Sequence, residues 1–147
     1  MVIDLEVRQF LDLEALDHGL TIESFRLLTR VQFKRSNGWT TLVPAIIDTG
    51  APFSVLPKTM WTDLSVEGGF ATSLRGLVPL PSAVLKARLA QVTCMVSDLR
   101  TSSDPLKFWA LLADGEVPLV LGCAGFLDRV TLVLDAAHRR GHVELAS

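Results

Sequence analysis

Asp48-Thr49-Gly50 puts a carboxylate, a hydroxyl and a glycine in one short run. Ile46 and Ile47 lead into it, and after Ala51 the chain leaves through Pro52-Phe53-Ser54-Val55-Leu56-Pro57. These apolar, β-branched flanks predict a buried strand that delivers the acid into a tight turn, and a second apolar strand that carries the chain away. An acid held at a strand end in a low-dielectric site can act as acid or base on a bound water. The small residues Gly50 and Ala51 let another backbone approach. Hydrolysis of a peptide bond by carboxylates needs this arrangement. The plainer reading is an ordinary turn in which Asp48 bonds its own backbone. Apolar flanks on both sides argue against it.

Several elements must position this loop. In residues 21–34, Phe25, Leu27, Thr29, Val31 and Phe33 alternate with Ser24, Arg26, Leu28, Arg30, Gln32 and Lys34, which predicts a half-buried strand. Ser36-Asn37-Gly38 then predicts a hairpin turn, and residues 39–47 form the returning strand that ends at Asp48. Residues 53–56 read as a short strand closed by Pro57, and 58–64 as a helical turn. Residues 66–81 carry Gly68, Gly69, Gly76, Pro79 and Pro81, which argues for a hairpin or loop.

Residues 83–89 and 91–96 read as two strands, and 107–113 as strand or helix. Residues 117–122 form a second buried strand ending in Gly122, and 124–128 are a short helix candidate. Strands at 130–134 and 142–145 finish the chain. Many short strands with frequent turns predict an all-β fold, closed or partly closed. Residues 1–20 read as an N-terminal extension, and 21–147 as one domain.

Composition bounds the rest. The chain has 147 residues, is 49% hydrophobic and carries a formal net charge of -2. That suits one globular domain and gives no broad electrostatic drive toward nucleic acid or an anionic membrane. No run approaches the roughly 20 apolar residues that span a bilayer. Acids near Met1 stand where a secretory signal would be positive, so a cytoplasmic protein is expected. Cys94 and Cys123 lie in apolar runs and read as small core residues. With His18, His138 and His142 they make no metal-ligand spacing. Cys123 as a nucleophile has no histidine near it in sequence.

The order Ile47-Asp48-Thr49-Gly50-Ala51, then a glycine-bearing segment, then Leu119-Val120-Leu121-Gly122 before a helical turn, resembles the retropepsin-like aspartic proteases. The resemblance covers most of residues 21–145. It implies an acid-protease barrel with one short helix and one lobe per chain. It implies Asp48 as the catalytic acid and base, and Thr49, Gly50 and Ala51 as its loop. Leu121 and Gly122 would pack behind that loop, and Gly68, Gly69 and Gly76 would belong to a flap. Cys123 and Ala124 follow Gly122 where the family often has Arg or an acid.

That chemistry needs two carboxylates about 3 Å apart sharing one proton. No second Asp-Thr/Ser-Gly occurs in the chain. The implied working unit is therefore a homodimer acting on a peptide or protein substrate, without metal or organic cofactor. The alternative is a non-catalytic dimerisation or peptide-binding module of the same fold.

Overall fold

The computed structural model describes residues 1–74 and 84–146. The chain is predominantly β, with 58% strand against 9% helix, as the short-strand pattern predicts. In chain order the elements are β1 (Val2–Leu11), α1 (Leu13–Asp17), β2 (Glu23–Arg35), β3 (Gly38–Trp39), β4 (Val43–Ile47) and β5 (Ser54–Leu56). There follow α2 (Lys58–Trp61), β6 (Glu67–Leu74), β7 (Leu85–Ser97), β8 (Leu106–Ala113) and β9 (Val120–Leu121). A 3-10 turn (Leu127–Arg129), β10 (Val130–Asp135) and β11 (Arg140–Leu145) complete the chain.

Six strands close a ring. β2 pairs β4, then β9, β5, β8 and β7 follow in turn, and β7 returns to β2. Outside the ring, β1 joins β2 to the C-terminal hairpin β10–β11, and β6 lies against β7. β4 is apolar throughout, buried on one face and partly covered on the other. Ala45 and Ile47 point into the larger core with Val31, Phe33, Val92, Phe108 and Leu121. Ile46 points the other way, against a smaller cluster of Val55, Leu74, Ala87, Ala113 and Val120. Successive side chains alternate between faces, so an unbroken apolar run is what such a strand requires.

Several expectations change on inspection of the pairing. The returning strand over 39–47 is broken into β3 and β4. Lys34 faces Trp39 but Val31 faces Val43, so the return carries one extra residue. Thr40 fills the gap: its N–H donates to the Phe33 carbonyl at 2.9 Å, and its Oγ1 accepts from the Phe33 N–H at 2.9 Å. The two strands expected over 83–96 are one, β7, paired continuously with β8 from Ala87 to Cys94. Residues 107–113 are strand, and the helix expected at 124–128 is the later 3-10 turn.

Residues 1–20, read as an extension, contain a strand built into the sheet. β1 pairs β11 through Val2–Leu5 and β2 through Glu6–Leu11, and it places Ile3 and Leu5 in the core. Asp12 caps the short α1, accepting from the Ala15 N–H at 2.9 Å.

Candidate active site

Asp48 follows directly from β4, and the backbone fixes where it goes. The Ile46 N–H donates to the Leu119 carbonyl at 2.9 Å, and the Asp48 N–H to the Leu121 carbonyl at 3.1 Å. β9 therefore runs parallel to β4 up to the acid, and it pairs antiparallel with β5 on its other side. The chain from Asp48 to Ser54 loops around the end of β9. Beyond that end, the Cys123 N–H donates to the Ala51 carbonyl at 2.8 Å and the Ala124 N–H to the Pro52 carbonyl at 2.9 Å. The loop is thus gripped along its length by residues 121–124. Backbone groups buried here find partners without any long side chain.

Gly122 sits at the tightest point. A Cβ on it would overlap the carbonyl oxygens of Phe53 and Ala51, so only glycine fits. Its N–H donates to Ser54 Oγ at 3.0 Å, and Ser54 is fully buried. Ser54 is a positioning residue the sequence reading passed over. A lone hydroxyl in the apolar run Phe53–Leu56 was the available signal, since a buried hydroxyl requires a partner.

Asp48, Thr49 and Gly50 are all exposed in the single chain, whereas the sequence pattern predicts a low-dielectric setting for the acid. Ile47, Val55 and Leu56 on its flanks are buried, but among the described residues nothing roofs the loop. One carboxylate oxygen of Asp48, Oδ1, accepts from the Gly50 N–H at 2.8 Å, and the Asp48 carbonyl accepts from the Ala51 N–H at 3.2 Å. The self-bonded turn of the plainer reading is therefore present within the gripped loop. Ala51 packs against the smaller core cluster.

Cys123 departs from expectation. It is half-buried rather than a core residue, and its thiol donates to the Thr49 carbonyl at 3.3 Å. Cys94 is the core thiol, and burial pushes its pKa up to about 12.

The structure brings Leu121 and Gly122 to the Asp48 loop. Gly68 and Gly69 lie elsewhere, at the base of the β6–β7 hairpin. Gly69 has φ +95, and a side chain there would run into the Leu89 carbonyl. Pairing shifts register between Glu67 and Phe70, so the two glycines form a bulge. The connection between β6 and β7, with Gly76, lies outside the described residues. Lys107 Nζ grips Glu67 at 2.6 Å across that base and holds its carboxyl below the usual range.

Among the described residues no group of three His, Cys, Asp or Glu side chains is placed to hold a metal. No helix among them is long and apolar enough to cross a membrane. No family model matches the chain, and no curated protein matches it.

Proposed function

We propose that the chain is an aspartic endopeptidase, one lobe of a retropepsin-like homodimer. The observation that carries this reading is the gripped loop: one exposed carboxylate at the end of β4, with β9 wedged between the strands on either side of it. A carboxylate so fixed and so exposed is half of a two-acid site. In a two-fold dimer the Asp48 side chains of two copies face each other. One, ionised, takes a proton from a bound water. The other, protonated, donates to the scissile carbonyl oxygen as the water attacks its carbon. The proton then passes to the leaving amine. Thr49, exposed beside the acid, is assigned to the contact between the two loops.

The terminal strands supply a surface for the second copy. β1, β11 and β10 extend the sheet away from the ring, and among the described residues β10 is its edge strand. Val133 and Leu134 on β10 are exposed. An open apolar edge with neither lysine nor proline invites pairing with another strand. The six-strand ring is assigned as the acid-protease barrel, and the β6–β7 hairpin as the arm that closes over an extended peptide.

The second reading is a peptide-binding or dimerisation module without catalysis. The bond from the Gly50 N–H to Asp48 Oδ1 favours it, because a turn alone would need that bond. Incubation of the purified protein with a peptide library, beside Asp48→Asn, separates the two. Cleavage that disappears in the folded variant supports the peptidase. Cleavage that persists in it removes Asp48 from the chemistry, and no cleavage by either leaves the binding module. A dimeric enzyme also loses specific activity on dilution, and two carboxylates sharing one proton give a bell-shaped pH–rate profile with an acidic limb.

A further inference from the structure

Between the end of β1 and the strand β4 that leads to Asp48 lies an apolar groove of about 550 Å³. Its floor is Leu28, Ile46 and Leu119, and its far wall is Phe10, Leu11 and Leu13 from the end of β1 and the start of α1. The volume falls in the range of sites that enclose a side chain or small ligand.

The register ties this groove to the acid. Leu28 faces Ile46, and Arg8 faces Arg26. Residues paired across strands share a face, and residues two apart along a strand share it too. Asp48 follows Ile47 directly, so Ile46 and the acid are two residues, roughly 7 Å, apart along the chain. The β2–β4 pairing ends at Leu27 and Ile47, so Arg26 and Asp48 each lie one residue beyond it, on β2 and after β4.

Arg26 also lines the groove. Its guanidinium carbon lies 5.0 Å from the centre of the Phe10 ring, which holds it over the groove wall. Arg8 is paired with Glu6 at 3.0 Å, whereas Arg26 has no acidic partner among the described residues. The groove thus offers one apolar trough and, one strand step away, one uncommitted positive charge.

We propose that this groove is the specificity subsite of the Asp48 site. It takes an extended peptide with a large apolar side chain and an acidic side chain two residues away. An extended peptide repeats on one face about every 7 Å. That matches the step from Leu28 to Arg26, so the apolar side chain enters the trough while the acid meets the guanidinium. The inference rests on the reading of Asp48 as the centre of a peptide cleft. Its chain-specific part is the β1–α1 arm that supplies the far wall.

The test is peptide binding to full-length Asp48→Asn protein, followed by fluorescence anisotropy. The probes are three labelled alanine-based octapeptides: one with Phe and Glu two residues apart, one with Phe and Lys, one with Ala and Glu. The Phe/Glu peptide should bind about tenfold tighter than either of the others, the difference that one charge-assisted contact or one buried aromatic supplies. Arg26→Met should erase the Glu-over-Lys preference and keep the Phe preference. Leu13→Ser, at a site 71% exposed and therefore harmless to folding, should weaken the Phe preference alone.

Equal binding of all three peptides, or an unchanged Glu preference in Arg26→Met, overturns the proposal. So does a Leu13→Ser protein that sediments as a monomer where its parent is a dimer and still binds peptides as before. In that case the groove is a contact between copies. Selective binding without cleavage by the wild-type protein removes the peptidase reading and leaves the subsite. Cleavage without this selectivity does the reverse.

Discussion

Strand β2 passes through two settings. At its far end Val31 and Phe33 are fully buried inside the ring. At its near end Phe25 is exposed, together with Phe10 and Leu11 of β1, Leu13 and Leu16 of α1, and Leu20 and Ile22 beside them. The apolar alternation is the same in both places, but only one has a second layer packed on it. The buried end closes the ring against β4 and β7, while Leu27, beside the exposed end, faces Ile47 next to Asp48. The exposed end is a two-stranded arm whose apolar surface exceeds what scattered surface residues provide, which is the mark of a surface that meets a partner or ligand. The buried end builds the ring, and the exposed end, next to the gripped Asp48 loop, is left to recognise something.

The largest effect expected anywhere in the molecule belongs to the gripped loop beside that exposed end. Asp48→Asn should lower peptide cleavage by at least about 10³-fold, the order of loss for a group acting as acid or base in the transition state. Its urea midpoint should hold or rise, since in a dimer the substitution removes repulsion between like groups. A folded variant that keeps wild-type turnover would break the contrast, because the rigid loop would then serve no chemistry.

Next comes Gly122→Val. Its side chain would enter the space occupied by the Phe53 and Ala51 carbonyls, and backbone cannot yield as a flexible side chain does. A loss of about 3 kcal/mol in urea unfolding is expected, at the upper end of overpacking costs. A valine variant within about 0.5 kcal/mol of wild type would show that the loop is not gripped as described.

These features differ in how far they could be read from sequence. The Asp48 loop and the Gly122 element were legible because each is local: an apolar run, a turn residue and a glycine within a few positions. The place of β1 was not. Its partners are both remote, with Val2 facing Glu144 and Glu6 facing Leu28, and pairing over such separations leaves no short-range pattern. Gly68 and Gly69 looked like a hairpin tip because bulges and tips ask for the same backbone freedom. β7 looked like two strands because burial changes parity between Ala87 and Ala90. Cys123 sat in an apolar run, and only the path of the Thr49 carbonyl reveals its half-exposed position.

Ser54→Ala is the third measurement and sets the two regions side by side. It leaves the buried Gly122 N–H without an acceptor, a cost of about 1–3 kcal/mol. Leu13→Ser on the arm should stay within about 0.5 kcal/mol of wild type. Thermal unfolding of both variants gives the comparison directly. If the arm variant lost as much stability as Ser54→Ala, the arm would be part of the core's support, and its exposure would not mark a recognition surface.

The smallest effect expected is at the joint between the regions. β1 leaves the edge of β2 after Leu28, and β7 takes up the same edge from Arg30. Asp98 bridges the fork: Oδ2 accepts from the Asp4 N–H at 3.0 Å, and Oδ1 accepts from Arg100 and Thr101 N–H groups at 2.9 and 2.7 Å. The Asp4 N–H, followed by those of Thr101 and Arg100, holds the Asp98 carboxyl below its ordinary value. A carboxyl whose pKa is lower in the folded chain stabilises the fold fully above its unfolded pKa, near 3.9. That contribution fades as pH falls through the folded value. Asp98→Asn keeps an acceptor oxygen and loses the charge, so it should unfold at slightly lower urea than wild type from pH 5 upward. The gap should begin to narrow below the unfolded value and close only below the folded one, where both proteins carry a neutral group. A gap that stays constant with pH would mean that the fork is held by shape alone, and that the arm is tied to the ring without help from this charge.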